Sequence, residues 1–212
     1  MKIAIDARIT KTTTGRYVDQ LIEHLQRLDT ENDYVIILPE DKKGEWAPIN
    51  PRFSPVYVPY KNYSFNEQIG FLKFLNKLKA DLVHFAMPQQ PPLYKGKKIT
   101  TVHVLTLLKT YNSDKNWFVF RAKQLVGKVV FFVIARTSKK LIAVSQFTKN
   151  EFVSFTHINP DKMQVIYEGS DMPLSSPLPY PNLQNKDFIL FFTSGKLVIA
   201  NSQFAFCNHQ SA

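Results

Sequence analysis

Apolar residues fall into two textures along this chain. Short runs with apolar residues on both alternating faces recur at Lys2–Asp6, Tyr34–Leu38, Val56–Val58, Leu82–Phe85, Ile99–His103, Leu141–Ser145 and Met163–Tyr167. Strands covered on both sides of a parallel sheet require this pattern. Between these runs, apolar positions spaced by three and four residues mark helices. Gly15–Leu28 aligns Val18, Leu21, Ile22, Leu25 and Leu28, and Phe65–Lys79 aligns Ile69, Leu72, Leu75 and Leu78. A longer helix is predicted over Trp117–Ser138 and a short one over Gln146–Phe155, with Ser145 as its N-cap. Strands alternating with helices predict an α/β fold on a doubly wound, mostly parallel sheet.

The texture changes after Asp171. Pro173, Pro177, Pro179 and Pro181, mixed with Ser and Asn, can continue neither a helix nor a central strand. The predicted organisation is a first domain over 1–171, a Pro-rich linker over 172–185, and the start of a second domain with a nearly uncharged tail over 186–212. Within that last part Phe188–Phe192 reads as a strand that is expected to find no sheet to join.

Composition narrows the classes. With 44% hydrophobic residues, 17 Phe and 9 Tyr in 212 residues, a packed core is available and wholesale disorder is excluded. The single Cys207 can form no internal bridge, and no Cys/His set has zinc-ligand spacing. No metal or cofactor is expected. The first residues enter a strand at once, leaving no room for a signal peptide. The longest apolar run, Val129 to Ala135, is far short of the roughly 20 residues that span a bilayer. A cytoplasmic protein is expected, with peripheral contact at the inner face of the membrane left open.

The net charge of +10 is unevenly placed. Lys115, Arg121, Lys123, Lys128, Arg136, Lys139, Lys140 and Lys149 lie in a stretch without one acidic residue. Such a block marks either an anionic partner or a solvated helix face. Arg121, Lys123 and Lys128, beside Trp117, Phe118 and Phe120, form a candidate membrane or anion patch. No helix-turn-helix, zinc-finger or aromatic RNA-binding pattern accompanies the charge, so no nucleic-acid partner is expected.

In an open parallel sheet, ligands bind beyond the carboxyl ends of the strands. Polar and Gly residues gather there: Lys11 to Tyr17 after the first strand, His103 after the fifth, Ser145 after the sixth, and Tyr167, Glu168 and Gly169 after the seventh. Gly15 could let a ligand approach the backbone at a helix N-terminus, or could simply make a tight turn. His103 could bond a hydroxyl or move a proton, or be a satisfied structural group. His84, among apolar neighbours, reads as core. Glu168 could be a solvated loop carboxylate. Neither a Gly-x-Ser-x-Gly elbow nor a Cys/His pair supports nucleophilic catalysis.

Taken in order, MKIAIDARIT with TGRYVDQLIEHL, ADLVHFAMPQQPPL, KKITTVHVLTLL, SKKLIAVSQFTKNEF and NPDKMQVIYEGSD resemble the N-terminal half of family 4 glycosyltransferases, the retaining, metal-independent group with GT-B architecture. The resemblance covers Met1 to Asp171 in sequence order and is expected to reach Phe192. It implies a Rossmann-like first domain that binds the acceptor, facing a second that binds a nucleotide-sugar. It also implies loss of a nucleoside diphosphate, whose charge is met by helix N-termini and basic side chains. On the same ground, Gly15 and Arg16 match the loop near donor phosphates and acceptor. His103 matches the histidine that contacts the transferred sugar, and Tyr167–Gly169 match a loop at the cleft. Ser145, the second residue of the VSQFTKNEF segment, joins them as a candidate substrate-binding residue.

Three departures accompany the match. Thr13 and Thr14 stand where further glycines are usual, and Val104 stands where an Asp follows the motif His. The family's donor-binding basic pair and Glu-x7-Glu carboxylates have no counterpart after Thr193; a truncated gene product, a frameshift or a fragment would each give this. The expected function is the acceptor-side half of a retaining, nucleotide-sugar-dependent glycosyltransferase, for cell-envelope polysaccharide or glycolipid synthesis, inactive as this chain. The expected partners are a nucleotide-sugar and a sugar or lipid-linked acceptor. The alternative is a non-catalytic module that docks to a protein or an anionic membrane surface.

Overall fold

The computed structural model describes residues 1–62, 64, 66–105, 117–169, 188–193 and 196–201. The chain divides into two compact units, Met1–Gly169 and Ser170–Ala212.

In the first unit, β1 (Lys2–Asp6), β2 (Asp33–Pro39), β3 (Phe53–Val58), β4 (Leu82–Phe85), β5 (Lys98–Val102), β6 (Lys140–Ala143) and β7 (Met163–Val165) make one sheet. Its order is β3-β2-β1-β4-β5-β6-β7, and every pairing is parallel. Strand order therefore reverses between β1 and β4, where Ile5 lies against Ile36 on one side and His84 on the other. A crevice opens at such a reversal beyond the carboxyl ends of the strands.

The helices are α1 (Gly15–Leu28), α2 (Leu72–Leu78), α3 (Trp117–Thr137) and α4 (Gln146–Thr156). Alternation along the strands sends residues to opposite faces. Ile5, Tyr34, Ile36 and Leu38 pack with Val18 and Ile22 of α1. Ala4, Val35, Ile37, Val83 and Phe85 pack with Phe71 and Leu75. Val102, Leu141, Ala143 and Met163 pack with Phe131 and Ile134 of α3 and Phe152 of α4. Ser145 caps α4 as expected, its Oγ accepting from the Thr148 amide at 3.0 Å.

The structure departs from the sequence pattern in identifiable places. β3 begins at Phe53 rather than Val56 and contains Pro55. An edge strand tolerates proline, and β3 is an edge. The second helix opens with a π turn, Glu67–Phe71, before α2. Because a π turn carries an extra residue, the apolar stripe rotates: Ile69 is exposed, and Phe71 takes the buried place. Leu28, at the last turn of α1, is also exposed. β5, β6 and β7 stop before His103, Ser145 and Tyr167, so these three stand on the loops beyond the sheet.

In the second unit, β8 (Phe188–Thr193) pairs antiparallel with β9 (Lys196–Asn201). The expectation that Phe188–Phe192 would lack a partner is corrected: Lys196–Asn201, in the tail, supplies one.

Candidate functional site

Three strand ends and two helices converge on His103, at the carboxyl edge of β5. Nε2 lies 2.9 Å from the carbonyl oxygen of Ala86, just past β4. A carbonyl only accepts, so Nε2 carries a hydrogen and donates it. Nδ1 lies 3.0 Å from Oε1 of Glu168, on the loop after β7; this contact is an ion pair when the ring holds its second proton. The Tyr17 ring from the first turn of α1 meets the imidazole edge-on, with centroids 4.9 Å apart and planes at 82°. The backbone is tied as well, since Thr148 Oγ1 donates to the His103 carbonyl at 2.9 Å. The His103 side chain is 9% exposed and that of Glu168 46%.

Behind this ring runs a buried chain of polar groups. Tyr17 Oη is 3.1 Å from Thr101 Oγ1, and Thr101 Oγ1 is 2.9 Å from His84 Nε2. Burial pushes the His84 imidazole down to about 4, nearby His103 adds to this, and Asp6 opposes it. His84 is thus neutral near pH 7. Burial raises the Tyr17 phenol; its bond with Thr101 opposes this and the Glu168 charge adds to it.

A second cluster occupies the reversal between β1 and β4. Arg8 donates through Nε and Nη2 to the two oxygens of Asp6, each at 2.8 Å. Nη2 also reaches Glu67 Oε1 at 2.8 Å, and the guanidinium lies 3.7 Å from the centroid of Phe71. Gln89 Nε2 donates to the other Glu67 oxygen. Burial works against the Arg8 charge, but the two carboxylates outweigh it and hold the group above its ordinary value. All three charged residues are buried. Asp6, Ile9, Asn62, Met87 and Gln89 line a shallow depression beside them.

The sequence-predicted residues separate into groups. His103 and Glu168 are in direct contact, so Glu168 is more than a solvated carboxylate. Ser145 reaches them at one remove, through Thr148. Arg16 is exposed on the first turn of α1. At Gly15 a Cβ would lie 1.9 Å from the Ile9 carbonyl oxygen, so the tight turn into α1 itself requires glycine. The Gly15 amide, moreover, donates to Thr12 Oγ1 at 3.0 Å. Tyr167 is 71% exposed, and among the described residues a Cβ at Gly169 would meet nothing.

Arg121 and Lys128 are exposed on α3, and Arg121 Nη1 donates to Gln124 Oε1 at 3.2 Å. The side chains of Trp117, Phe118, Phe120 and Lys123 lie outside the described residues. On the exposed side of α3 stand Leu125, Val126 and Val129 instead.

Sequence reasoning missed Tyr17, Thr101, Asp6, Arg8 and Glu67, and read His84 only as core. Thr101 shares a strand face with His103 by simple alternation, and Asp6 and Arg8 end the first strand at the ligand-binding edge. Those signals were legible; the Glu67 contact was not. Among the described residues, no group of three His, Cys, Asp or Glu could hold a metal ion, and no helix is long and apolar enough to cross a membrane.

Residues 14–173 match the model of Glycosyltransferase Family 4. The chain belongs to that family. Its fold is similar to Anabaena Alr3699/HepE in complex with UDP-glucose, with a TM-score of 0.52 and 14% identity over 87% of this chain and 49% of that one. The same Anabaena protein with UDP and glucose gives a TM-score of 0.49 and 14% identity over 81% and 45% of the two chains. A glycosyltransferase from Rickettsia africae ESF-5 gives 0.44 and 20% over 79% and 42%. This glycosyltransferase-family chain thus spans about half the length of those structures. No curated protein matches it in sequence. The all-parallel Rossmann-like sheet is that of one half of a GT-B enzyme.

Proposed function

We propose that this chain is the acceptor-side half of a retaining glycosyltransferase that uses a nucleotide-sugar and works in the cytoplasm on cell-envelope polysaccharide or glycolipid. The observation that carries this reading is His103. It stands at the carboxyl edge of a parallel sheet, held on both ring nitrogens and on its backbone, and by sequence resemblance it matches the family histidine that contacts the transferred sugar. Arg16, at the mouth of α1, is the residue in this half best placed to meet leaving-group charge.

Transfer needs donor and acceptor held at near-attack distance. The parallel-sheet unit offers one wall of such a cleft, and on this reading transfer requires a donor-binding half to face it. The test is a panel of nucleotide-sugars and acceptors, assayed with this chain and with a chimaera carrying a donor-binding half from another family member. Transfer by the chimaera, abolished by His103→Ala, is the expected result. Turnover by the chain alone would refute its dependence on a second half, and a fully active His103→Ala chimaera would remove His103 from the site.

A second reading concerns α3. Exposed Leu125, Val126 and Val129 beside Arg121 and Lys128 combine apolar area with positive charge, as peripheral membrane helices do. Each basic residue near an anionic surface contributes about 1 kcal/mol. Vesicles containing anionic lipid should bind the chain at low salt and neutral vesicles should not, with loss on Arg121→Glu, Lys123→Glu and Lys128→Glu together. Indifference to lipid charge would leave α3 as a solvated face.

A further inference from the structure

We infer that Tyr17 and Glu168 are positioning residues that hold the His103 imidazole so that Nδ1 is the only atom through which it can meet a ligand oxygen. The inference deepens the reading of His103 as the sugar-contacting residue and rests on it for the ligand's identity. The geometry concerns the ring alone.

The two ring nitrogens differ in what could replace their partners. Nε2 donates to the carbonyl of Ala86, which is 1% exposed and tied into the chain just beyond β4. No solute reaches that contact without opening the sheet edge. Nδ1 faces Glu168, whose side chain is nearly half exposed. Among the described residues its loop packs little, because Ile166 and Tyr167, which lead into it, are exposed and a Cβ at Gly169, which follows it, would touch nothing. Displacing the carboxylate therefore loses little packing, whereas displacing the carbonyl would break the core.

The remaining freedom of the ring is rotation about its bond to Cβ, and Tyr17 blocks it. The phenol stands nearly perpendicular to the imidazole and is anchored at its far end by Thr101, itself bonded to His84. An edge-on aromatic contact of this kind favours one ring orientation by several-fold. Glu168 then occupies the position that a sugar hydroxyl takes, and a ligand oxygen replaces it on Nδ1 without the ring turning. With Nε2 donating to the Ala86 carbonyl, Nδ1 of the neutral ring presents its lone pair and accepts a hydrogen bond from a ligand hydroxyl.

The test needs no ligand, so its failure is separate from failure of the glycosyltransferase reading. The full chain, labelled with ¹⁵N at histidine, gives side-chain nitrogen signals for His103, with exposed His24 and His157 as folded-state references. The wild type should show one His103 ring state. Glu168→Ala should shift the Nδ1 signal and leave Nε2 bonded, while Glu168→Gln, which keeps a polar partner at that place, should restore a single state. Tyr17→Ala should give two or more ring states with the reference signals unmoved. Wild-type ring signals in Glu168→Ala would overturn the inference, as would Glu168→Gln behaving like Glu168→Ala. A single ring state in a folded Tyr17→Ala chain would also overturn it. If Tyr17→Ala does not fold, the two Glu168 variants decide the matter.

Discussion

Acidification should destabilise this protein through one buried imidazole. His84 sits in the middle of the sheet with Nε2 on Thr101, and its burial holds it at about 4 instead of the ordinary 6.5. Above pH 6.5 both the folded and unfolded chains carry a neutral ring, and the stability contributed by keeping it neutral is fully present. As the pH falls below 6.5 the unfolded ring binds a proton while the folded ring does not, so the unfolded state gains. The loss accumulates until about pH 4, where the folded ring titrates too. Across that window it amounts to about 3 kcal/mol, a large share of the stability of an ordinary domain. Carboxylates also titrate near the lower end, so the wild type must be compared with His84→Gln, which keeps a polar group near Thr101 but has no proton to bind. Urea unfolding followed by far-ultraviolet circular dichroism at several pH values between 4 and 7.5 supplies the curves. The stability gap between wild type and variant should move by about 3 kcal/mol in the variant's favour on going from pH 7 to pH 4. A gap that stays constant within about 0.5 kcal/mol would refute the picture of a neutral, desolvated His84.

Further outcomes are set by the packing. Gly15→Ala drives a methyl into the Ile9 carbonyl, 1.9 Å from where the Cβ must lie, and should cost more than about 2 kcal/mol in thermal unfolding; near-wild-type stability would show that the turn into α1 does not require glycine. Arg8→Met leaves Asp6 and Glu67 buried without their shared cation and should cost about 3–5 kcal/mol by urea unfolding, with a smaller loss at a pH where a carboxyl can protonate. A chain ending at Gly169 should keep a cooperative unfolding transition, because all seven strands of the parallel sheet lie before that point; a non-cooperative melt would show that the sheet depends on residues 170–212.

Much of the fold was legible because it depends on burial, which sequence records directly. Strands such as Tyr34–Leu38 are apolar on both faces since α1 covers one and α2 with its π turn covers the other. What sequence hid were effects of position in the sheet or of backbone irregularity. Pro55 looks like a strand breaker until β3 is known to be an edge, and Ile69 looks like core until the π turn rotates it outward. The partner of Phe188–Thr193 was missed for another reason: Lys196–Asn201 looks unlike the family that precedes it, and a hairpin needs only a local antiparallel match.

The candidate site was legible in its members and not in its contacts. The edge of a parallel sheet gathers the residues just past each strand, so His103 and Glu168 could both be placed there, while nothing local says that one carboxylate reaches Nδ1. Tyr17 was hidden by its neighbours. Gly15 and Arg16 drew attention as a loop motif, yet the backbone of Ile9 fills the space at Gly15, and it is the next aromatic residue that turns inward to His103. The division of labour is physical. A loop that must turn tightly back on Ile9 before α1 uses its glycine for that contact, and the first turn of the helix so fixed can carry a positioning side chain. In this chain the glycine acts on the site through the helix it seats.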